Sequence, residues 1–324
     1  MKVGILGTGN IASQMADTIS RMKGIRLYAC ASRTEKKAEG FAEKFGFEKA
    51  YGSYEDLLQD PQVDLVYIAT PNNAHYENVM QCLKYKKAVL CEKPFAMNYE
   101  EAETMIRMAE ENNVFLAEAM WMRYQPLAQK VVELVEKGAI GVPRLLIASK
   151  GELDVPGIDG LDPAFGGSAL MGMGVYAINN AFLVFGNRVK QIKTQAIFLD
   201  NGVDGANSMI LKYEDGKMAM LCSSLIAPTG NKWYVCGDDG MLEIQGLSRL
   251  KHIVRYNRNR QPIEEFFDEN MDTGYEYEVQ ACFQAIKNGK LECPEMPHSE
   301  TLAVLKLMDQ IKQEWLQDHN LSES

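Results

Sequence analysis

The strongest constraint on this chain stands at its beginning. A short apolar run, Lys2–Leu6, ends in Gly7-Thr8-Gly9-Asn10-Ile11-Ala12, and Ile11, Met15, Ile19 and Met22 then recur at helical spacing. That pattern predicts a strand, a tight glycine turn and an amphipathic helix. The glycines allow a sharp turn and close backbone approach to a ligand. The helix start beyond them offers free N–H groups and the positive end of a dipole. A pyrophosphate needs those features together. A glycine turn with no ligand is the bland alternative, and the rest of the chain weighs against it.

The alternation of strand and helix continues for about 120 residues. Ile25–Ala31 reads as a second strand and Glu35–Phe45 as a polar-faced helix. Val63–Ala69 is a continuous apolar strand, of the kind buried on both faces. A helix over His75–Tyr85 places Tyr76, Val79, Met80 and Leu83 on one side. Ala88–Cys91, Tyr99–Asn112 and Val114–Glu118 add strand, helix, strand. Short links between alternating elements mean parallel crossovers and a doubly wound sheet.

The rhythm then changes. After a helix over Pro126–Lys137 and a strand over Arg144–Lys150, strands follow one another without helices: Val189–Leu199, Ser208–Glu214, Lys217–Ile226, Lys232–Cys236, Met241–Gln245 and His252–Tyr256. Glu214-Asp215-Gly216 and Asp238-Asp239-Gly240 supply hairpin turns. The chain closes with helices over Tyr275–Asn288 and Ser299–Gln317. The expected class is α/β: a nucleotide-binding domain over 1–120, then an α+β domain over 121–324 with a large, mostly antiparallel sheet. The C-terminal helix is free to pack back on the first domain.

Composition sets limits on partners. The chain has 324 residues and a net charge of −10, from 34 basic and 44 acidic side chains. With no basic block, nucleic acid and anionic membranes are poor partners. The seven cysteines form no CxxC pair, so neither a zinc site nor a redox motif is written here and no metal is expected. They read as reduced, buried thiols of a cytoplasmic protein. The N-terminus lacks the long apolar core of a signal peptide. The charge-free stretch 163–187 is long enough to span a bilayer, but its glycines, Asn179 and Asn180 favour a Gly-rich loop leading into a buried helix. The sheet after residue 189 is apolar on both alternating sets, with Met218, Met220 and Cys222 against Ala219 and Leu221. One chain offers few covers for a second face, so a homodimer or homotetramer is expected.

Three further segments carry chemistry. An NAD-binding fold usually ends its second strand in an acidic residue that holds the ribose 2′-hydroxyl. Here Ser32 and Arg33 stand there, with Lys37 one turn on. A guanidinium and a hydroxyl bind a 2′-phosphate that a carboxylate would repel, so NADP(H) is favoured over NAD(H). Thr70-Pro71-Asn72-Asn73-Ala74-His75 follows a buried strand, where open α/β sheets place ligands. Asn73 is a candidate helix cap, and His75 either donates to the cofactor or orients the loop. Cys91-Glu92-Lys93-Pro94 ends the next strand and offers Lys93 as a proton donor or electrostatic clamp.

With GTGNIA, ATPNNAH and EKP in this order, the chain resembles the glucose–fructose oxidoreductase / inositol dehydrogenase / MocA (Gfo/Idh/MocA) family of NAD(P)-dependent oxidoreductases. Glu118-Ala119-Met120-Trp121-Met122-Arg123-Tyr124, Gly166-Gly167-Ser168-Ala169-Leu170, Gly274–Glu278 and Met296–Glu300 resemble its dihydrodiol and NADP-dependent D-xylose dehydrogenase branch. The resemblance implies a Rossmann domain and a sheet domain, and dimers or tetramers joined through the sheet's open face. It implies NADP(H) over Gly7, Thr8, Gly9, Asn10 and Ile11, with Thr70, Pro71, Asn72, His75, Glu92, Lys93, Trp121 and Arg123 along its path. Tyr176 matches the acid/base position, where Lys93 would favour its phenolate. Hydride would pass between nicotinamide and a polyol, diol or sugar, or its carbonyl counterpart. One departure stands out. Gly172 replaces the Asp the family usually carries one turn before that Tyr, and Asp162 or Asp159 is left as a substitute. Gly172 also keeps open a sensor or regulator that binds cofactor without turnover. NAD-dependent glycosidase chemistry, known in distant members, is a further alternative that Arg33 opposes. His298 reads as structural, with Ser299 as a helix cap.

Overall fold

In the computed structural model, residues 1–153, 160–269 and 271–322 are described, with side chains to residue 317. The chain divides into two compact units, Met1–Trp121 with Asp272–Leu302, and Met122–Met271 with Ala303–Ser324.

The first unit is built on six parallel strands. They are β1 (Lys2–Leu6), β2 (Arg26–Ala31), β3 (Lys49–Tyr51), β4 (Leu65–Ile68), β5 (Ala88–Glu92) and β6 (Leu116–Ala119). Their order in the sheet is β3-β2-β1-β4-β5-β6. The intervening helices are α1 (Asn10–Ser20), α2 (Glu35–Phe45), α3 (Tyr54–Gln59), α4 (His75–Lys84) and α5 (Tyr99–Asn112). The chain therefore runs outward from β1 in one direction, returns, and runs outward in the other. The switch lies between β1 and β4, and ligands of such sheets bind at the carboxyl ends there. Apolar side chains on both faces drive the assembly: Ile5, Leu65 and Tyr67 from strands and Met15, Ile19 and Leu57 from helices are all 1% exposed or less.

Two short elements escape the periodicity. β3 has only three residues, all half-buried, too few to show a period. α3 has six, and Ser53 caps it by accepting the Asp56 N–H at 3.2 Å. The buried face of α4 differs from the expectation as well. It is His75, Asn78, Val79, Cys82 and Leu83, so Tyr76 and Met80 sit only half-buried at its margin. The first residue of that face is the polar His75, which counting apolar residues overlooks. Asn73 does not cap α4: it lies in a 3-10 turn over Asn72–Ala74, and the capping position is Ala74.

The second unit is an eight-stranded sheet of β7 (Pro143–Gly151), β8 (Val189–Phe198), β9 (Asp204–Tyr213), β10 (Met218–Ser224), β11 (Lys232–Gly237), β12 (Gly240–Gln245), β13 (His252–Asn257) and β14 (Pro262–Phe267). The order is β14-β13-β12-β11-β7-β10-β9-β8, antiparallel except for β7 beside β10. β14 was not expected. It is an edge strand with almost every residue exposed, held by pairing with β13 and by ion pairs such as Arg255–Glu264 at 2.9 Å. Helices α6 (Pro126–Glu136) and α7 (Val175–Phe185) complete the unit. The charge-free stretch is indeed a Gly-rich loop and a buried helix, joined by a π-helical turn over Leu170–Gly174. No helix among the described residues is long and apolar enough to cross a membrane.

The closing helices are α8 (Glu276–Lys287) and α9 (His298–Ser322). α9 begins at His298, so Ser299 lies inside its first turn and is not its cap. His298 Nε2 lies 2.8 Å from the Leu116 carbonyl, a structural contact of β6.

Candidate active site

In the first unit, the residues singled out by sequence collect at the carboxyl ends of β1, β4 and β5. Gly7 has φ +102°, and a Cβ there would stand 2.6 Å from the Ala69 carbonyl oxygen. Only glycine lets the first loop pass so close to the β4 loop. Gly9 occupies the N-cap of α1 with open space around it, and no acidic residue lies in the first turn. Asn10 and Ile11 follow as the first helical residues. An open cradle at an uncompensated helix start fits a diphosphate.

Ser32 ends β2 and is buried, while Arg33 and Lys37 are exposed. No carboxylate occupies the strand end itself; Glu35 opens α2 and points to solvent.

Thr70 accepts the Asn78 amide at its hydroxyl, 3.0 Å away. His75 is 1% exposed and has its Nδ1 2.8 Å from the Pro94 carbonyl and its Nε2 3.0 Å from the Thr70 carbonyl. Burial lowers its pKa. Both ring nitrogens lie at backbone carbonyls, one of which takes the neutral ring's single N–H, and His75 ties the β4 loop to the β5 loop. It offers no free donor to a ligand.

Glu92 closes β5. One carboxylate oxygen accepts the Tyr67 hydroxyl and the other the Lys93 N–H at 3.1 Å. Burial pushes its pKa up. The Lys93–Pro94 peptide is cis, and Lys93 is half-buried at the tip of this turn. Behind it lies Glu278 of α8, fully buried, with neither carboxylate oxygen hydrogen-bonded among the described residues. Burial and the nearby Glu92 raise its pKa well above the carboxylate range. Trp121 stacks on Tyr275, with ring centroids 4.3 Å apart and planes 12° from parallel. The turn before α8 is held by Glu276, which accepts N–H groups of Asp272, Thr273 and Gly274 at 2.7–3.1 Å.

In the second unit, Tyr176 is the second residue of α7 and 6% exposed. Gly172 lies in the π-turn before it, where, among the described residues, a Cβ would meet only Leu225 at 3.8 Å. The gap left by the missing side chain is therefore real space. Asp162 does not fill it: Asp162 accepts the Ala164 N–H at 2.8 Å and caps a short 3-10 turn. Asp159 lies outside the described residues. The buried carboxylate that does reach this segment is Asp204, which accepts the Leu170 N–H at 2.9 Å and the Asn207 amide at 2.7 Å. It anchors the π-turn from β9. Arg123 is 4% exposed and donates from Nε to Asn179 of α7 at 3.2 Å.

Sequence reading missed Tyr67, Glu278, Asp204 and Lys150. Lys150 has its ammonium 5.6 Å from the centre of the Tyr176 ring. It gave a signal: on β7 it falls on the buried parity of Leu146 and Ala148, where an apolar residue belongs.

Comparison with known proteins agrees with this construction. Residues 1–120 match the model of an oxidoreductase family with an NAD-binding Rossmann fold, and residues 128–243 match the GFO/IDH/MocA C-terminal domain. The chain is 32% identical over 321 residues to trans-1,2-dihydrobenzene-1,2-diol dehydrogenase of Mus musculus, covering 96% of each. It is 30% identical to the Xenopus tropicalis enzyme of the same name over 97% of each. Among solved structures it resembles the 3-ketoreductase KijD10 from Actinomadura kijaniata in complex with NADP, with TM-score 0.83, 24% identity and 97% of each chain covered. An aldose-aldose oxidoreductase from Caulobacter crescentus complexed with glycerol shares the fold at TM-score 0.87 and 22% identity, over 97% of this chain and 96% of that one. The chain belongs to the Gfo/Idh/MocA family of oxidoreductases.

Proposed function

We propose that this protein is an NADP(H)-dependent oxidoreductase acting on a polyol, diol or sugar, or on the corresponding carbonyl compound. The observation that carries the reading is the set of strand ends around the β1–β4 switch, with Gly7 and Gly9 after β1, Thr70 after β4 and Lys93 after β5. The nicotinamide cofactor, when bound, supplies or accepts hydride. The protein's part is to hold it and to manage the proton. Gly7, Thr8, Gly9, Asn10 and Ile11 take the diphosphate; Ser32, Arg33 and Lys37 take the 2′-phosphate; Thr70, Pro71, Asn72, Glu92, Trp121 and Arg123 complete the cofactor set. Tyr176 exchanges the proton with the substrate oxygen, and Lys93 orients that oxygen. The relatives named as diol dehydrogenases, and a fold neighbour solved with NADP, support substrate class and cofactor.

The proposed division of labour gives 1–120, joined in one compact unit by 272–302, to the cofactor, and the rest of 121–324 to substrate and self-association, in a cytoplasmic protein. Association as a dimer or tetramer is supported by the sheet of the second unit. Ile210, Met220, Ile147 and Tyr234 form one cross-strand row on the face away from the apolar row beneath α7. Ile147 and Ile210 are 39% and 45% exposed.

The test is a screen of sugars, diols and dicarbonyls followed at the absorbance of reduced nicotinamide. Turnover with NADP(H) on a hydroxyl or carbonyl compound is expected. Cofactor binding with no turnover on any of them would favour a sensor.

A further inference from the structure

The face of the second unit's sheet that carries α7 is apolar for two cross-strand rows and then changes character. Leu146, Ala219 and Leu211 form the first row; Ala148, Leu221 and Met209 form the second. The third is Lys150, Ser223 and Asn207, and every member of all three rows is buried. Burying three polar residues side by side costs stability unless each is satisfied. Ser223 donates to Asn207 at 2.8 Å and Asn207 donates to Asp204 at 2.7 Å, so that part of the row is a closed structural network.

Lys150 is different. Its side chain is 5% exposed, and its ammonium donates to Glu152 at 2.8 Å and to Ser248 at 3.3 Å. It stands 5.6 Å from the ring centre of Tyr176. The Glu152 side chain is 40% exposed, so its carboxylate is open to solvent on one side. A buried cation paired with a half-open carboxylate is not needed to fill space, because the two rows before it are filled by Leu, Ala and Met. Replacing a buried ion pair by well-packed apolar residues is often neutral or stabilising. What the pair does provide is a strong donor and a strong acceptor side by side at the Tyr176 ring.

We propose that Lys150 and Glu152 form a subsite that reads the second hydroxyl of a vicinal diol held at Tyr176. The proposal rests on Tyr176 being the proton-exchanging residue. Adjacent hydroxyls each carry one proton to give and lone pairs to accept. The ammonium donates to one oxygen while the carboxylate accepts from its neighbour, and a mono-alcohol satisfies only half of that pair. An anionic substrate is disfavoured, because Glu152 faces any group that reaches Lys150.

The test uses a matched pair, trans-1,2-cyclohexanediol and cyclohexanol, with wild type, Glu152→Gln and Lys150→Met. The ratio of kcat/KM for the diol to that for the mono-alcohol is expected to fall about 10- to 100-fold in both variants, chiefly through KM for the diol. NADPH affinity is expected to stay within about 2-fold of wild type. An unchanged ratio, or an equal loss on both alcohols, would overturn the subsite. Calorimetry of both alcohols in the presence of NADP⁺ separates this from the functional reading. If the wild type turns over neither alcohol, the reading of these compounds as substrates falls. The subsite still stands if the wild type binds the diol more tightly and Glu152→Gln erases the difference. Equal binding of the two alcohols by the wild type would overturn it.

Discussion

In the proposed function, cofactor choice rests on Arg33 and proton transfer on Tyr176. Arg33 is exposed at the end of β2, with no acid beside it at the strand end. Arg33→Ala is expected to weaken NADPH binding by about 1.5–3 kcal/mol, the range of a charge-assisted hydrogen bond. NADH binding should stay nearly unchanged. Calorimetry that found the wild type binding both cofactors equally would contradict this. Tyr176→Phe keeps the ring that packs in α7 and removes only the hydroxyl. Turnover should fall by about 10²–10⁴-fold, the usual worth of general acid–base catalysis, while NADPH affinity holds. Full turnover by this variant, with chemistry shown to be rate-limiting, would remove Tyr176 from the role. His75 shows how one residue can be read two ways. Its place in the loop after β4 is equally suited to a ligand contact and to a tie between loops. Only the Thr70 and Pro94 carbonyls at its two nitrogens decide for the tie.

At the scale of elements, one buried carboxylate ties β2 and β3 to the segment after α3. Asp60, after α3, accepts from Lys49 of β3 at 2.6 Å, from Tyr51 at 2.7 Å and from Tyr28 of β2 at 2.9 Å. It also accepts the Gln62 N–H at 2.9 Å. Burial pushes its pKa up, but the Lys49 bond and the remaining donors outweigh it, and the pKa lies well below the usual carboxylate range. A lowered folded-state pKa contributes stability that is present above the unfolded value near 3.9 and is lost as pH falls through the folded value. Asp60→Asn is therefore expected to cost about 1.5–3 kcal/mol at pH 7. The difference from wild type should shrink progressively below about pH 4. Urea unfolding at several pH values measures both. A pH-independent difference would show that Asp60 acts by shape and not by charge. The short elements β3 and α3 exist on these terms: tertiary hydrogen bonds hold segments too brief to announce themselves by periodicity.

For the whole molecule, the question is what covers the open face of the second sheet. The row Ile210, Met220, Ile147, Tyr234 repeats across four strands. Its two well-exposed isoleucines, Ile147 and Ile210, are what support the proposed self-association. Light scattering at micromolar concentration is expected to return a multiple of 36.3 kDa. Ile210→Glu, placing a charge at the β9 end of the row, should lower that mass and make the melting temperature depend on protein concentration. A wild-type mass of one chain would contradict self-association.

Local pattern determined the class of each half. Parallel strands with crossover helices announce themselves through short apolar runs and glycine turns, and hairpins through Asp-Gly turns. The phosphate loop was legible because its chemistry is backbone chemistry, written in Gly7 and Gly9 over a few consecutive residues. Tyr176 was legible only through resemblance, since a tyrosine in an apolar helix has no local signature, whereas Lys93 stood out as a candidate by its place at a strand end. Tertiary structure decided what depends on residues distant in the chain. Pairing placed Lys150 beside Ser223, folding brought Glu278 behind Glu92 and Asp204 under Leu170. The physical reason is the range of the forces involved. Backbone conformation is set within a few residues, whereas burial, which gives a charge or a hydroxyl its chemical character, is set by whatever the fold packs against it.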